Sequence, residues 1–169
     1  MKDNIVLIGI MGCGKSSLGK QLAKRLSKTF VDMDAVIEKE AGMTITQMFE
    51  TFGESYFRDK ETELCRRLSK QTGLVISTGG GIVGREENMT ALGETGTIIF
   101  IDRNPSIIIL TINAEKRPLI RDNPQRLLDI HKQRLPLYRK YADRIVPNNR
   151  SFREAINRLM ADITENSER

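Results

Sequence analysis

Residues 4–16 read Asn-Ile-Val-Leu-Ile-Gly-Ile-Met-Gly-Cys-Gly-Lys-Ser, and the fold class follows from how this stretch is understood. Its first five residues, NIVLI, form an apolar run of strand length. Its last eight, Gly9-Ile10-Met11-Gly12-Cys13-Gly14-Lys15-Ser16, fit G-x-x-x-x-G-K-[ST]. Downstream, Leu18, Leu22, Ala23 and Leu26 fall on one face at helical spacing. Strand, glycine-rich turn and helix, in that order, are the context a phosphate-binding loop requires. Glycines reach φ > 0 and let successive backbone N–H groups point inward as an anion-binding nest. The helix that follows adds the positive end of its dipole. Lys15 supplies a point charge suited to the β- and γ-phosphates of ATP, and the Ser16 hydroxyl is a candidate Mg²⁺ ligand. The candidate nucleotide contacts are thus Gly12, Cys13, Gly14, Lys15, Ser16 and Ser17.

Working outward, short apolar runs alternate with segments of helical period, the pattern of βαβ units on a parallel sheet. Residues 29–31, 74–77 (LVIS), 97–101 (TIIFI) and 144–146 are the further strand candidates. Ile45, Met48, Phe49 and Phe52 mark one helix, and Phe57, Leu64, Cys65 and Leu68 mark the next. Ser151-x-x-Glu154 is a capping box opening a last helix, with Ile156, Leu159, Met160 and Ile163 on its apolar face. A polar stretch at about 111–124, holding Pro118 and Pro124, is the candidate mobile lid. Across 169 residues no repeat or linker is visible, so one domain of three-layer α/β/α architecture is expected.

Composition narrows the function classes. No window approaches the roughly 20 apolar residues that cross a bilayer, and the N-terminal run of about six is too short for a secretion signal. A cytoplasmic location without membrane attachment is expected. Cys13 and Cys65 make neither a disulfide framework nor a metal-ligand spacing. The net charge of +5 is scattered rather than clustered, which favours small anionic ligands over nucleic acid. The chain lacks the Asn-Lys-x-Asp motif that reads guanine, and no second domain to move is expected. A small molecule is therefore expected to receive the phosphate, with the protein acting as a monomer.

The acceptor side has four candidates. Asp32-Met33-Asp34 stands at the carboxyl end of the second strand, where α/β sheets place ligands. One carboxylate is suited to Mg²⁺ and the other, expected to face the opposite way, to a substrate hydroxyl; helix capping is the plainer alternative. Gly79, Gly80 and Gly81 either let a ligand approach the backbone or make a simple strand-to-helix turn. Arg58 and Glu61, three apart on a helix, form either a surface pair or a partly buried pair that orients Arg58. Arg117 and Arg134, taken singly, are no more than solvated cations.

As a set, these motifs resemble the shikimate kinases of the nucleoside-monophosphate-kinase-like P-loop group. The matching stretches are GIMGCGKS (9–16), DMD (32–34), FRDKE (57–61), GGG (79–81), RPL (117–119) and RLPLY (134–138). The resemblance covers residues 5 to 163. It implies a P-loop NTPase fold with a five-stranded parallel sheet of order 2-3-1-4-5, a substrate-binding helical segment at about 33–61, and a lid. It further implies that Asp34 binds the acceptor hydroxyl as general base, and that Arg58 and Arg134 clamp the shikimate carboxylate beside Gly79, Gly80 and Gly81. Arginines suit that task because a planar guanidinium meets a carboxylate in bidentate fashion. By the same resemblance Asp32 would hold Mg²⁺ with Ser16, and Arg117 would act as an arginine finger beside Lys15. The reaction implied is γ-phosphoryl transfer from ATP to the shikimate 3-hydroxyl. A gluconate or nucleoside-monophosphate kinase of the same fold, and a non-catalytic nucleotide-binding module, are the alternatives. One departure stands out. Many relatives carry a cation about two turns before the lid Arg-Pro, whereas residues 107–113 hold none and Leu110 is near its place. Adenine contacts are accordingly expected from the 147–150 loop, with Arg150.

Three residues are not promoted. His131 reads as a partly packed helix residue, and Cys13 as a thiol at a helix N-terminus that phosphoryl transfer does not need. Pro136 is expected to kink the helix carrying Arg134.

Overall fold

β1 (Asn4–Ile8) is buried at every residue, as a strand covered on both faces must be, and that is why NIVLI shows no polar alternation. The computed structural model describes residues 2–111 and 123–167. β1 pairs in parallel with β3 (Leu74–Ser77) on one side and β4 (Gly96–Asp102) on the other. β2 (Thr29–Asp32) and β5 (Arg144–Pro147) form the edges and are only partly buried. The strand order is β2-β3-β1-β4-β5, matching the order the resemblance implied.

Helices cover the sheet and complete three layers. α1 (Lys15–Leu26) packs on β1, β2 and β3 and against the C-terminal α8 (Phe152–Ser167). α2 (Met33–Ala41), α3 (Ile45–Phe52) and α4 (Glu54–Leu68) pack on one another and span the segment expected to bind substrate. α5 (Glu86–Thr95) and α7 (Pro124–Tyr141) pack on β4, with α6 (Pro105–Thr111) against α7. The predicted strands all occur, each end within one residue of expectation, and the predicted helices occur on the residues that marked them. α7 runs as one helix through Pro136.

Two local signals place the ends of elements near the site. Thr44 and Gln47 form a reciprocal capping box that fixes the start of α3. The Ser151 hydroxyl accepts from the Glu154 N–H, as the predicted cap requires. No helix among the described residues is long and apolar enough to cross a membrane. The predicted lid and Arg117 lie almost wholly in 112–122, outside the described residues.

The connections from β1 and β4 leave the sheet in opposite directions, toward β2 and β5 respectively. In such a sheet the crevice for ligands opens beyond the carboxyl ends of the strands at that divergence.

Candidate active site

The loop after β1 is a cradle that only glycine can build. Gly9, Gly12 and Gly14 have φ of 145°, 79° and 103°. A Cβ on Gly14 would sit 2.7 Å from Asn148 Nδ2, and one on Gly9 would sit 2.8 Å from the Ile101 carbonyl oxygen. Side chains at these positions would meet both backbone strain and occupied space. The loop is tied from outside as well. Asn148, after β5, donates to the Cys13 carbonyl at 2.8 Å. Lys15 is nearly buried, and its ammonium donates to the carbonyls of Gly9 at 2.6 Å and Ile10 at 3.0 Å. Its charge is satisfied by the loop that it serves.

Beyond the loop, Ser16 Oγ donates to Asp32 Oδ2 at 2.9 Å and lies 3.2 Å from Ser77 Oγ. Asp32 also caps α2, its Oδ1 accepting from the Ala35 N–H at 3.3 Å. The two readings of Asp32 are thus compatible, one oxygen serving each. Asp34 is the second residue of α2, which corrects the expectation that alternation along a strand separates the two aspartates. Asp32 caps the helix and Asp34 lies two residues on, about half a helical turn round, whereas residues two apart in a strand share a face. Asp34 Oδ1 is buried with no hydrogen-bond partner among the described residues. Burial, and then the neighbouring Asp32 charge, push the Asp34 carboxyl above the usual carboxylate range, against the pull of Lys15.

Two clefts meet here. One, of about 620 Å³, is lined by Gly12, Gly14, Lys15, Ser16, Ser17 and Asp32. The other, of about 550 Å³, lies between α3, α4 and α7 and holds Arg58, Glu61, Arg134 and the three glycines. Met11, Asp34, Ile45 and Gly80 line both. Asp34 therefore stands at the junction.

In the second cleft the Arg58 guanidinium is held on two edges. Nη1 donates to Glu61 Oε2 at 2.6 Å, while Nη2 and Nε reach Glu54 Oε1 at 3.0 and 3.2 Å. Glu61 is fully buried, so this is the orienting ion pair that the sequence had left open beside a surface pair. Burial raises the Glu61 pKa, with Arg58 opposing. The three glycines matter here for room. A Cβ on Gly81 would lie 2.5 Å from Arg58 Nη2, and one on Gly79 would lie 2.8 Å from Glu61 Oε1 and 2.9 Å from Asp34 Oδ1. None of the three has a positive φ. Tyr138, one turn after Arg134, donates to the Gly80 carbonyl at 2.5 Å and stacks on Phe100 at 5.1 Å. α7 is thereby pinned to the glycine segment.

A phosphate cradle opening onto an arginine-lined pocket through a carboxylate suits phosphoryl transfer to a small anionic acceptor, and the comparisons agree. The family model described as SKI: Shikimate kinase matches residues 11–164. The chain belongs to the shikimate kinase family. It is 40% identical over 166 residues to shikimate kinase of Clostridium botulinum (strain Eklund 17B / Type B), covering 98% of this chain and 100% of that one. A shikimate kinase of Haemophilus influenzae (strain PittEE) is 38% identical over 169 residues, covering 98% and 94%. Among solved structures, shikimate kinase from Acinetobacter baumannii in complex with shikimate superposes with a TM-score of 0.90 at 34% identity, covering 97% and 94%. A gluconokinase from Sinorhizobium meliloti matches at 15% identity and a TM-score of 0.64, a likeness of fold alone. Family membership makes this protein an ATP-dependent kinase.

Most residues singled out in the sequence fall on these two clefts. Exceptions are instructive. Cys13 is buried, its thiol 3.5 Å from the Lys15 ammonium, so its side chain is not presented to solvent at the helix start. Arg150 projects from the loop after β5 with 80% of its side chain exposed, and it lines neither cleft. Leu110 is 85% exposed on α6. His131 is half-buried, as expected. Sequence reasoning missed Glu54, although its i, i+4 spacing to Arg58 was readable. It also missed Arg103, which stands at the carboxyl end of β4 as Asp32 stands at the end of β2.

Proposed function

We propose that this protein transfers the γ-phosphoryl group of ATP to the 3-hydroxyl of shikimate, a step toward chorismate and the aromatic amino acids. The observation that carries the reading is the junction itself. Asp34 lies between the cleft of the phosphate loop and the cleft of Arg58 and Arg134. A hydroxyl held at the junction faces a carboxylate with an unpaired buried oxygen. With its pKa raised, that carboxylate is a better proton acceptor for the attacking hydroxyl. Arg58 and Arg134 hold the acceptor's carboxylate, with backbone from Gly79, Gly80 and Gly81 beside them. Lys15 leaves its loop carbonyls for the phosphates, and Arg117 from the lid at about 111–124 completes the charge on the transferring group. Most of the acceleration comes from positioning and charge stabilisation.

The oxygens of Ser16 and Asp32, 2.9 Å apart, suit Mg²⁺, which keeps several waters and phosphate oxygens among its ligands. When bound, the ion screens the charge of the phosphates. All of these groups come from one chain, which supports a monomeric enzyme, and we place it in the cytoplasm.

The test is ADP release from ATP and Mg²⁺ with shikimate, gluconate, a nucleoside monophosphate or no acceptor. Stimulation by shikimate alone is expected. Stimulation by another acceptor in its place would show that Arg58 and Arg134 do not clamp a shikimate carboxylate.

A further inference from the structure

Arg103 is the one cation of the phosphate cleft, besides Lys15, whose side chain lines it among the described residues. It follows β4 directly, and the divergent chain paths after β1 and β4 bring it beside the phosphate loop. Nη1 donates to the Gly12 carbonyl at 3.2 Å, and Nη2 donates to Thr111 Oγ1 at 3.3 Å. These two contacts use two of the five N–H groups of the guanidinium. Nε is buried and has no hydrogen-bond partner among the described residues. A buried donor left unpaired is unfavourable unless something that binds satisfies it.

The charges of the cleft point the same way. Asp32, Asp34 and Glu38 line it, against Lys15 and Arg103. Lys15 is engaged with the carbonyls of Gly9 and Ile10 in this state. An incoming polyphosphate thus meets more carboxylates than free cations, and Arg103 is the group with donors to spare. It is also pre-organised, because the loop and the end of α6 hold its guanidinium before any ligand arrives; little side-chain freedom is lost on binding.

We propose that Arg103 binds the phosphate chain of the nucleotide, offering Nε–H and a remaining Nη–H to its oxygens. Arg103 then senses occupancy of the loop, since the guanidinium that meets the phosphates also holds the Gly12 carbonyl and Thr111. The proposal rests on the kinase reading for its ligand, and its test does not use the acceptor. A staple that merely joins loop to helix is the competing role, and it makes no demand on the nucleotide.

The experiment is calorimetric titration of the full-length protein with the β,γ-imido analogue of ATP and Mg²⁺, without shikimate. Wild type is compared with Arg103→Ala, Arg103→Lys and Thr111→Val, and each variant's unfolding temperature is recorded. Loss of charge-assisted hydrogen bonds predicts about 10- to 100-fold weaker nucleotide binding for Arg103→Ala. Arg103→Lys should recover part of that loss through its point charge, and Thr111→Val should stay near wild type. A parallel titration with shikimate alone should be unchanged in Arg103→Ala. Nucleotide affinity of Arg103→Ala within about twofold of wild type would overturn the proposal. So would an equal loss in Thr111→Val, or a lowered unfolding temperature with both ligands weakened alike, since each marks a staple. Failure of wild type to phosphorylate shikimate would refute the acceptor and leave this result standing.

Discussion

At the scale of the residue, Asp34 is held where folding would rather not have a charge. Its unpaired oxygen is buried, and burial and the Asp32 charge raise its carboxyl above the ordinary value of 3.8. The folded protein therefore keeps the Asp34 proton to a higher pH than the unfolded chain does. Between the ordinary and the raised value the folded state binds more protons, so this group's contribution to stability falls as pH rises. Catalysis needs the opposite form, the carboxylate. Asp34→Asn is expected to lower kcat for shikimate by about 10²–10⁴-fold, the usual contribution of a general base. The same change should raise Tm, with the gain absent near pH 4 and complete above the raised value. Scanning calorimetry across pH, beside kcat from ADP release, reads both. A fall in Tm at neutral pH would mean that Asp34 supports the fold through contacts its charge does not explain. For wild type, the acid limb of kcat should lie above the range of an ordinary carboxylate, near 4.

At the scale of the element, the glycine segment after β3 works through the atoms it does not have. With ordinary backbone angles at all three positions, the reason for glycine is the Arg58 guanidinium, Glu61 and Asp34 pressed against the chain. Gly81→Ala places a methyl group 2.5–2.7 Å from a guanidinium already fixed by Glu61 and Glu54. The far end of a long side chain yields more readily than backbone, so the fold should persist while Arg58 is displaced. The expected result is a KM for shikimate raised about tenfold or more, from a lost charge-assisted hydrogen bond, with the KM for ATP nearly unchanged. Steady-state kinetics with each substrate varied in turn decides it. An unaltered KM for shikimate would take Arg58 out of the acceptor clamp. Sequence alone could offer ligand approach or a plain turn for these glycines; the side-chain packing that requires them depends on α4 and α2, far away along the chain.

At the scale of the whole molecule, what was legible in the sequence was whatever is local. NIVLI, LVIS and TIIFI announce strands because burial on both faces confines polar residues to their ends, at Asn4, Ser77 and Thr97. The phosphate loop announces itself because glycine, lysine and serine have fixed spacings there. The contacts that join distant strands carry no such period. Arg103 and Asn148 are isolated polar residues in sequence, yet one touches the Gly12 carbonyl from the end of β4 and the other touches the Cys13 carbonyl from beyond β5. The strand order brings three loops to one crevice, and only the assembled sheet reveals it. The nucleotide cradle is thus a property of half the sheet rather than of residues 9–16 alone. Asn148 tests that view. It is buried, and its amide fills the space that a side chain on Gly14 would take. Asn148→Ala leaves the Cys13 carbonyl without its 2.8 Å donor, which costs about 1–3 kcal/mol for a buried group. For a chain of this size that lowers Tm by roughly 2–4 °C per kcal/mol. Nucleotide affinity should fall with it, because the loop loses an outer tie, while shikimate affinity in the other cleft should hold. Calorimetric unfolding and separate titrations of the two ligands make the comparison. If Tm drops and nucleotide affinity does not, the loop holds its own shape and the tie from β5 serves stability only.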